Sequence, residues 1–263
     1  MLKRLYHNII AESVEKDSKN RGNILFCGED NKTIKNKVSE TIMLDELKGK
    51  LIVSCQALSD EPLYGSETMG KMALAAKQGG AAAIRAQGVA DITEIKKATG
   101  LPVIGLIKQN YADSDVYITP TMTEVEALIA APCEMIALDM TMRPRPNREK
   151  MLTLVKAIKA AGKLVLADIS TIEEGVMAEE FGADAVSTTL SGYTPYSPQQ
   201  KGPDLALVAA LAEALTVPLI AEGRIGTPAE LQEALKAGAY AVVVGSAITR
   251  PQLITKSFVD ALT

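Results

Sequence analysis

From about Leu47 to the C-terminus, short apolar runs of β type alternate with stretches of helical spacing. The apolar runs are Leu51–Gln56, Ala81–Gln87, Pro102–Lys108, Met135–Met140, Leu164–Ser170, Ala185–Leu190, Pro218–Gly223 and Ala241–Ile248. Helical spacing predicts helices over Ser66–Gln78, Ala90–Thr99, Thr123–Ala130, Asn147–Ala161, Ile172–Phe181, Asp204–Ala214 and Thr227–Ala237, with an eighth over Pro251–Ala261. Glycines stand just after several helices and before the next strand, at Gly79–Gly80, Gly100, Gly162, Gly182 and Gly238. There they read as C-caps. Eight strand–helix units in one run favour a closed α/β fold, the (β/α)8 TIM barrel, over an open sheet. No glycine-rich dinucleotide fingerprint follows the first strand.

Residues 1–42 do not follow this pattern. Leu2, Leu5, Ile9 and Ile10 suit one face of a short helix, and a polar Lys-, Asn- and Glu-rich stretch follows to Glu40. The domain reading is therefore an N-terminal extension over 1–42 and a barrel over 43–263. The extension reads as a peripheral or flexible segment, as a start upstream of the natural one at Met43, or as an appendage for a partner.

Two turns near the C-terminus point to phosphate. PLIAEGRI (218–225) and AVVVGSAIT (241–249) are both apolar runs that stop at Gly, and helix-like sequence follows each. Consecutive strand–Gly–helix units in the last quarter of a barrel make an anion site from backbone N–H groups. Gly223, Gly245 and Ser246 are the backbone candidates. Glycine suits such turns because a Cβ would obstruct phosphate. The expected ligand is a small phosphorylated metabolite.

Composition narrows the classes. The 263 residues match the ~250 typical of one such barrel. Apolar residues make up 47% and aromatic ones only 4%, without Trp, so Ala, Val, Ile and Leu must fill the interior. The net charge of −4 argues against nucleic acid or an anionic membrane as a partner. No apolar span is long enough for a membrane helix, and no signal-peptide pattern is seen. Three Cys without paired spacing (Cys27, Cys55, Cys133) fit a reduced, cytoplasmic protein. The single histidine, His7, precedes the barrel. A barrel without His has neither a multi-His metal site nor a Ser-His-Asp triad. No metal or cofactor is expected, and proton transfer falls to Lys, Glu, Asp, Tyr or Cys.

Functional groups of a (β/α)8 barrel stand at the C-terminal ends of its strands. Those positions hold Gln56, Arg85, Lys108, Asp139, Asp168, Ser170, Ser187–Thr189, Glu222 and Gly245–Ser246. Lys108 ends PVIGLIK. Desolvation and the nearby Arg85 charge would lower its pKa into the range of a general base. Snorkelling to the rim or an ion pair is the competing explanation. Glu222 points into the mouth beside a phosphate turn, either to polarise a carbonyl or to pair with Lys108 or Arg85. Asp168 suits a sugar hydroxyl or a partner for Lys108, and Asp139 suits a loop cap. Arg85 and Arg250 are candidate anion contacts. The turn-rich segment 191–202, with Tyr193 and Tyr196, reads either as a cover for the substrate or as ordinary surface.

Together GKLIVSCQAL, MALAAKQGGAAAIRAQG, PVIGLIK, DVYITPT, ADISTIEEG, STTLSGYTPYS, IAEGRI and AVVVGSAITRP resemble the N-acylglucosamine-6-phosphate 2-epimerase family. The resemblance runs from Leu44 to the C-terminus. It departs at Lys108-Gln109-Asn110-Tyr111, where an acidic residue usually precedes the Tyr. It implies metal-independent interconversion of N-acetylmannosamine 6-phosphate and N-acetylglucosamine 6-phosphate in the breakdown of sialic acid, by a homodimer. Lys108 would then transfer the proton and Glu222 would assist at the carbonyl. Gln56, Arg85 and Asp168 would hold the sugar. Arg250 and the Gly223–Arg224 and Gly245–Ser246 backbones would hold phosphate. A Schiff-base lyase and a non-enzymatic phosphosugar sensor are the competing readings.

Overall fold

Eight parallel strands pair in chain order, and the eighth closes onto the first. The strands are β1 (Leu51–Cys55), β2 (Ala83–Gln87), β3 (Val103–Leu106), β4 (Met135–Asp139), β5 (Leu164–Asp168), β6 (Ala185–Ser187), β7 (Leu219–Glu222) and β8 (Ala241–Val244). A helix follows each: α1 (Ser66–Gln78), α2 (Val89–Thr99), α3 (Met122–Ala130), α4 (Met151–Ala160), α5 (Ile172–Glu180), α6 (Leu205–Ala214), α7 (Pro228–Lys236) and α8 (Pro251–Asp260). This computed structural model describes residues 43–262. The expectations for residues 1–42 lie outside the described residues. The (β/α)8 barrel itself is as the hydrophobic pattern predicts.

Two apolar layers build it, because the strands are buried on both faces. One layer fills the barrel axis with Ile52, Ile104, Leu106, Met135, Leu164, Leu166, Ile220 and Val243. The other packs the outward residues, such as Val53, Ile84, Val165 and Val186, against the helices. Residues 43–47 are helical and bring Met43 and Leu47 into the axial layer, just ahead of β1. That seals the N-terminal end of the barrel and leaves the C-terminal end for chemistry. Capping boxes at Thr121–Glu124, Thr171–Glu174 and Thr227–Glu230 start α3, α5 and α7.

Gly105 shows how tight the outer layer is. A Cβ there would lie 2.9 Å from both Cys133 Sγ and Ile92 Cδ1. Gly105→Ala is expected to cost about 1–3 kcal/mol through overpacking. Equilibrium denaturation measures it, and an unchanged midpoint would contradict so close a fit.

Most boundaries shift by one or two residues from the pattern-based prediction, and four of the shifts bear on the site or on the loops around it. β3 stops at Leu106, before Lys108. The chain then folds back, so that Lys108 bridges Ile118 in antiparallel sense and Gln109 N donates to Tyr117 O at 3.0 Å. β6 ends at Ser187, where a turn begins in which Ser191 N bonds Thr188 O. β8 ends at Val244 and a one-turn helix, Ser246–Thr249, replaces its predicted end. The predicted helix from Asn147 begins only at Met151. Asn147 and Arg148 have φ of 54° and 56°, and Asn147 N bonds the Asp113 carboxylate. Contacts distant in sequence hold these ends: Lys108 with Ile118, Thr188 Oγ1 with Glu222 O, Thr249 Oγ1 with Ser54 O, and Asn147 N with Asp113.

Candidate active site

Side chains in a strand alternate between the two faces of the sheet. The axial face is set by Ile52, Ala83, Ile104, Met135, Leu164, Ala185, Ile220 and Ala241. Continuing in steps of two reaches Ser54 and Gln56, Arg85, Lys108, Asp139, Asp168, Ser187 and Thr189, Glu222 and Gly245. The apolar axis therefore ends in a polar layer at its open end.

Arg85 is the centre of that layer and is 1% exposed. Its guanidinium forks onto Asp168, with Nη1–Oδ1 at 2.9 Å and Nη2–Oδ2 at 2.5 Å. Nη1 also donates to Glu222 Oε2 at 2.5 Å. Thr189 Oγ1 lies 2.6 Å from Asp168 Oδ1 and 3.1 Å from Glu222 Oε2. One buried and one partly buried carboxylate thus share one guanidinium. Asp168 holds it with both oxygens and Glu222 with one. Burial, with the Asp168 charge in addition, raises the Glu222 carboxyl against the opposing pull of Arg85.

Lys108 reaches the same cavity from beyond β3. Burial pushes its ammonium down to about 8, and the Arg85 and Arg250 charges add to the fall. β3 and β7 are four strands apart in a closed barrel of eight, so Lys108 and Glu222 approach the mouth from opposite sides. The cavity measures about 430 Å³. On its floor Gln56 Nε2 donates to Ser54 Oγ at 2.8 Å, while Gln56 Oε1 is buried without a partner.

The β7 and β8 turns form the other wall, where Gly223, Arg224, Gly245 and Ser246 line the cavity. Gly223 has φ of 112°, a conformation side chains rarely adopt, and Arg224 follows at φ 56°. Arg250 stands beside them. Glu61 holds its guanidinium from behind, with Nε–Oε1 at 2.8 Å and Nη2–Oε2 at 2.9 Å. Two guanidines, one ammonium and two backbone turns around one cavity suit an anion with a polar tail.

The family model described as "Putative N-acetylmannosamine-6-phosphate epimerase" matches residues 69–263. A relative from Clostridium perfringens, described as "Putative N-acetylmannosamine-6-phosphate 2-epimerase", is 64% identical over 220 residues, covering 84% of this chain and 100% of its own. One from Clostridioides difficile, with the same description, is 59% identical over 220 residues, covering 84% and 99%. The solved structure of the Clostridium perfringens N-acetylmannosamine-6-phosphate 2-epimerase superposes with a TM-score of 0.83 at 58% identity, covering 91% of this chain and 100% of that one. The chain belongs to the N-acetylmannosamine-6-phosphate 2-epimerase family.

In this epimerase, eleven of the residues singled out from sequence line one cavity: Gln56, Arg85, Lys108, Thr189, Tyr193, Glu222, Gly223, Arg224, Gly245, Ser246 and Arg250. Asp168 is 0% exposed and lies behind Arg85, so it holds the guanidinium rather than Lys108. Asp139 caps its own loop. Its Oδ1 accepts from Thr141 N at 3.0 Å, and its Oδ2 pairs with Arg143 at 2.6 Å. Pattern reading missed Tyr117 and Glu61. Tyr117 lines the cavity of the epimerase from the folded-back segment, and burial pushes its phenol up to about 12. Neither residue ends a strand, so the strand-end rule has no access to them. Among the described residues, no group of three or more His, Cys, Asp or Glu is placed to hold a metal ion, and no helix is long and apolar enough to cross a membrane.

Proposed function

We propose that this chain interconverts N-acetylmannosamine 6-phosphate and N-acetylglucosamine 6-phosphate by moving a proton at C2 without a metal. The observation that carries this reading is Lys108, a base with a lowered pKa, in one cavity with the Arg85–Glu222 pair. The substrate reacts as its open-chain aldehyde, whose C2–H is acidic by enolate resonance. Neutral Lys108 takes that proton. The C–H electron pair becomes the C1–C2 double bond, and charge develops on O1. Arg85 is the donor that stabilises it, and Glu222, whose carboxyl burial raises, assists beside it in a site arranged before the reaction. The intermediate is planar at C2, so return of a proton to the other face inverts the centre. Phosphate held by the β7 and β8 turns and Arg250 supplies binding energy remote from C2. Gln56 Oε1, buried and unpartnered, is available to an N–H or O–H of the sugar. The family expectation adds a cytoplasmic homodimer acting in sialic acid breakdown.

Proton NMR in D2O with EDTA tests this. The expected result is N-acetylglucosamine 6-phosphate carrying deuterium at C2. Folded protein that yields neither conversion nor exchange would overturn the reading. A Schiff-base lyase would instead be trapped on Lys108 by borohydride in the presence of substrate.

The pH dependence has a definite sign. A lowered Lys pKa means the amine is neutral above about pH 8 and protonated below it. The expected kcat/KM rises with pH on the acid side, falls about tenfold per unit below the midpoint, and levels near 8. An acid limb centred near 10 would mean that Lys108 is not the group observed.

A further inference from the structure

The Arg224 side chain has no part in the chemistry above, yet it is held at several points. Its Nε donates to Gly202 O at 2.7 Å and its Nη1 to Ser191 O at 2.9 Å. Those two carbonyls stand at opposite ends of the segment 191–202, between β6 and α6. One guanidinium therefore ties both ends of this loop to the phosphate turn after β7. The same guanidinium lies 5.9 Å from the ring centroid of Tyr193, within range of a cation–π contact. Tyr193 lines the cavity and is 55% exposed.

The loop is shaped to admit this group. A Cβ on Gly192 would fall 1.5 Å from Arg224 Nη1, and Gly192 has φ of 80°. No other residue type fits there while Arg224 keeps its place. The loop is also held by one bond within it and by two to its neighbours. Gly192 N donates to Ser197 Oγ at 2.8 Å, Ser191 Oγ to Asp204 Oδ2 at 2.7 Å, and Tyr196 OH to Glu174 Oε1 at 2.7 Å. A segment tied at so many points is a fixed wall rather than a hinged lid. Its one large side chain on the cavity is an aromatic ring, which suits the C–H face of a sugar chain better than a phosphate.

We propose that Arg224 is a positioning residue whose guanidinium seats Tyr193 as the wall that contacts the sugar portion of the substrate. This rests on the reading of the cavity as a phosphosugar site. Contact with a part of the substrate away from C2 contributes equally before and during reaction, so its loss raises KM more than it lowers kcat.

The protein contains no Trp, so Tyr193→Trp installs a unique fluorophore. Its emission is expected to change saturably with N-acetylglucosamine 6-phosphate and not with inorganic phosphate. Arg224→Met keeps a Cβ at φ 56° but removes the guanidinium. It is expected to raise KM about tenfold, the factor for one lost contact of this kind. The inhibition constant of inorganic phosphate should stay unchanged. Gly192→Ala reaches the same state by displacing Arg224, and should raise KM alike. An emission of Tyr193→Trp that ignores the sugar phosphate would overturn the proposal. So would a phosphate inhibition constant that rises in step with KM in Arg224→Met, since Arg224 would then act on the phosphate. The epimerase reading fails separately, by absence of turnover in the unsubstituted protein, while the fluorescence titration still reports sugar contact.

Discussion

Lys108→Met is expected to lower kcat by about 10²–10⁴-fold, the usual share of a positioned general base. The side chain ends in the cavity and is already half-buried, so Met fills much of the same space. Substrate affinity and thermal stability should therefore stay near those of the parent protein. Lys108→Arg is the sharper control. It keeps the charge and its field on Glu222, but a guanidinium does not give up its proton near neutral pH. A base role predicts that Arg is as inactive as Met, whereas a purely electrostatic role predicts that Arg restores most of the rate. Single-turnover kinetics with a binding titration separates the two. Retained binding without turnover in Lys108→Met would also exclude a sensor in which this lysine only holds ligand.

Arg85→Met is expected to cost both activity and about 3–5 kcal/mol of stability, as when one partner of a buried ion pair is removed. Asp168 keeps Thr189 but loses both guanidinium contacts, and Glu222 loses its one. The two carboxylates then face each other across the same space with no cation between them. Burial already raises the Glu222 carboxyl, and the opposing pull of Arg85 is now gone, so the penalty is full at pH above its raised value. It shrinks as pH falls through that value and Glu222 takes up a proton. Urea denaturation of both proteins at pH 7.5 and pH 5.5 measures this on a coarse scale (roughly 1 kcal/mol is resolved). A stability gap that does not narrow at the lower pH would mean that the carboxylates are not the source. Asp168→Asn in the Arg85→Met background should recover part of the loss, because it removes one buried charge. Activity should not return, since the donor proposed for the developing oxyanion is gone.

The barrel and much of its site were legible because both rest on local periodicity. Each strand is a short apolar run, and the turn beyond it carries the polar residue. A strand alternates faces with a period of two, so the parity of Ile52 or Ile220 determines where Gln56 or Glu222 points. That rule places Lys108 on the axial face even though β3 ends at Leu106. The lowered pKa of Lys108 was also foreseeable, since a lysine continuing an apolar axis beside Arg85 is both desolvated and repelled. The alternation of eight units could not show where strands yield to turns. Thr188 leaves β6 to bond the Glu222 backbone, 34 residues away.

The amino-acid sequence by itself determined the order of the elements, the face each side chain presents and the glycine turns after β7 and β8. These follow from steric and hydrophobic preferences that act within a few residues. Only the tertiary structure decided the partners. Asp168 takes Arg85 rather than Lys108 across 83 positions, and Glu61 takes Arg250 across 189. Asp139, on the same parity as Asp168, turns to its own loop instead. Arg224 directs its guanidinium away from the β7 and β8 turns and into the 191–202 loop, where Gly192 leaves room. Such pairings depend on which charged groups barrel closure brings within hydrogen-bond reach and on the space left around them. Neither is encoded in the spacing of residues along the chain.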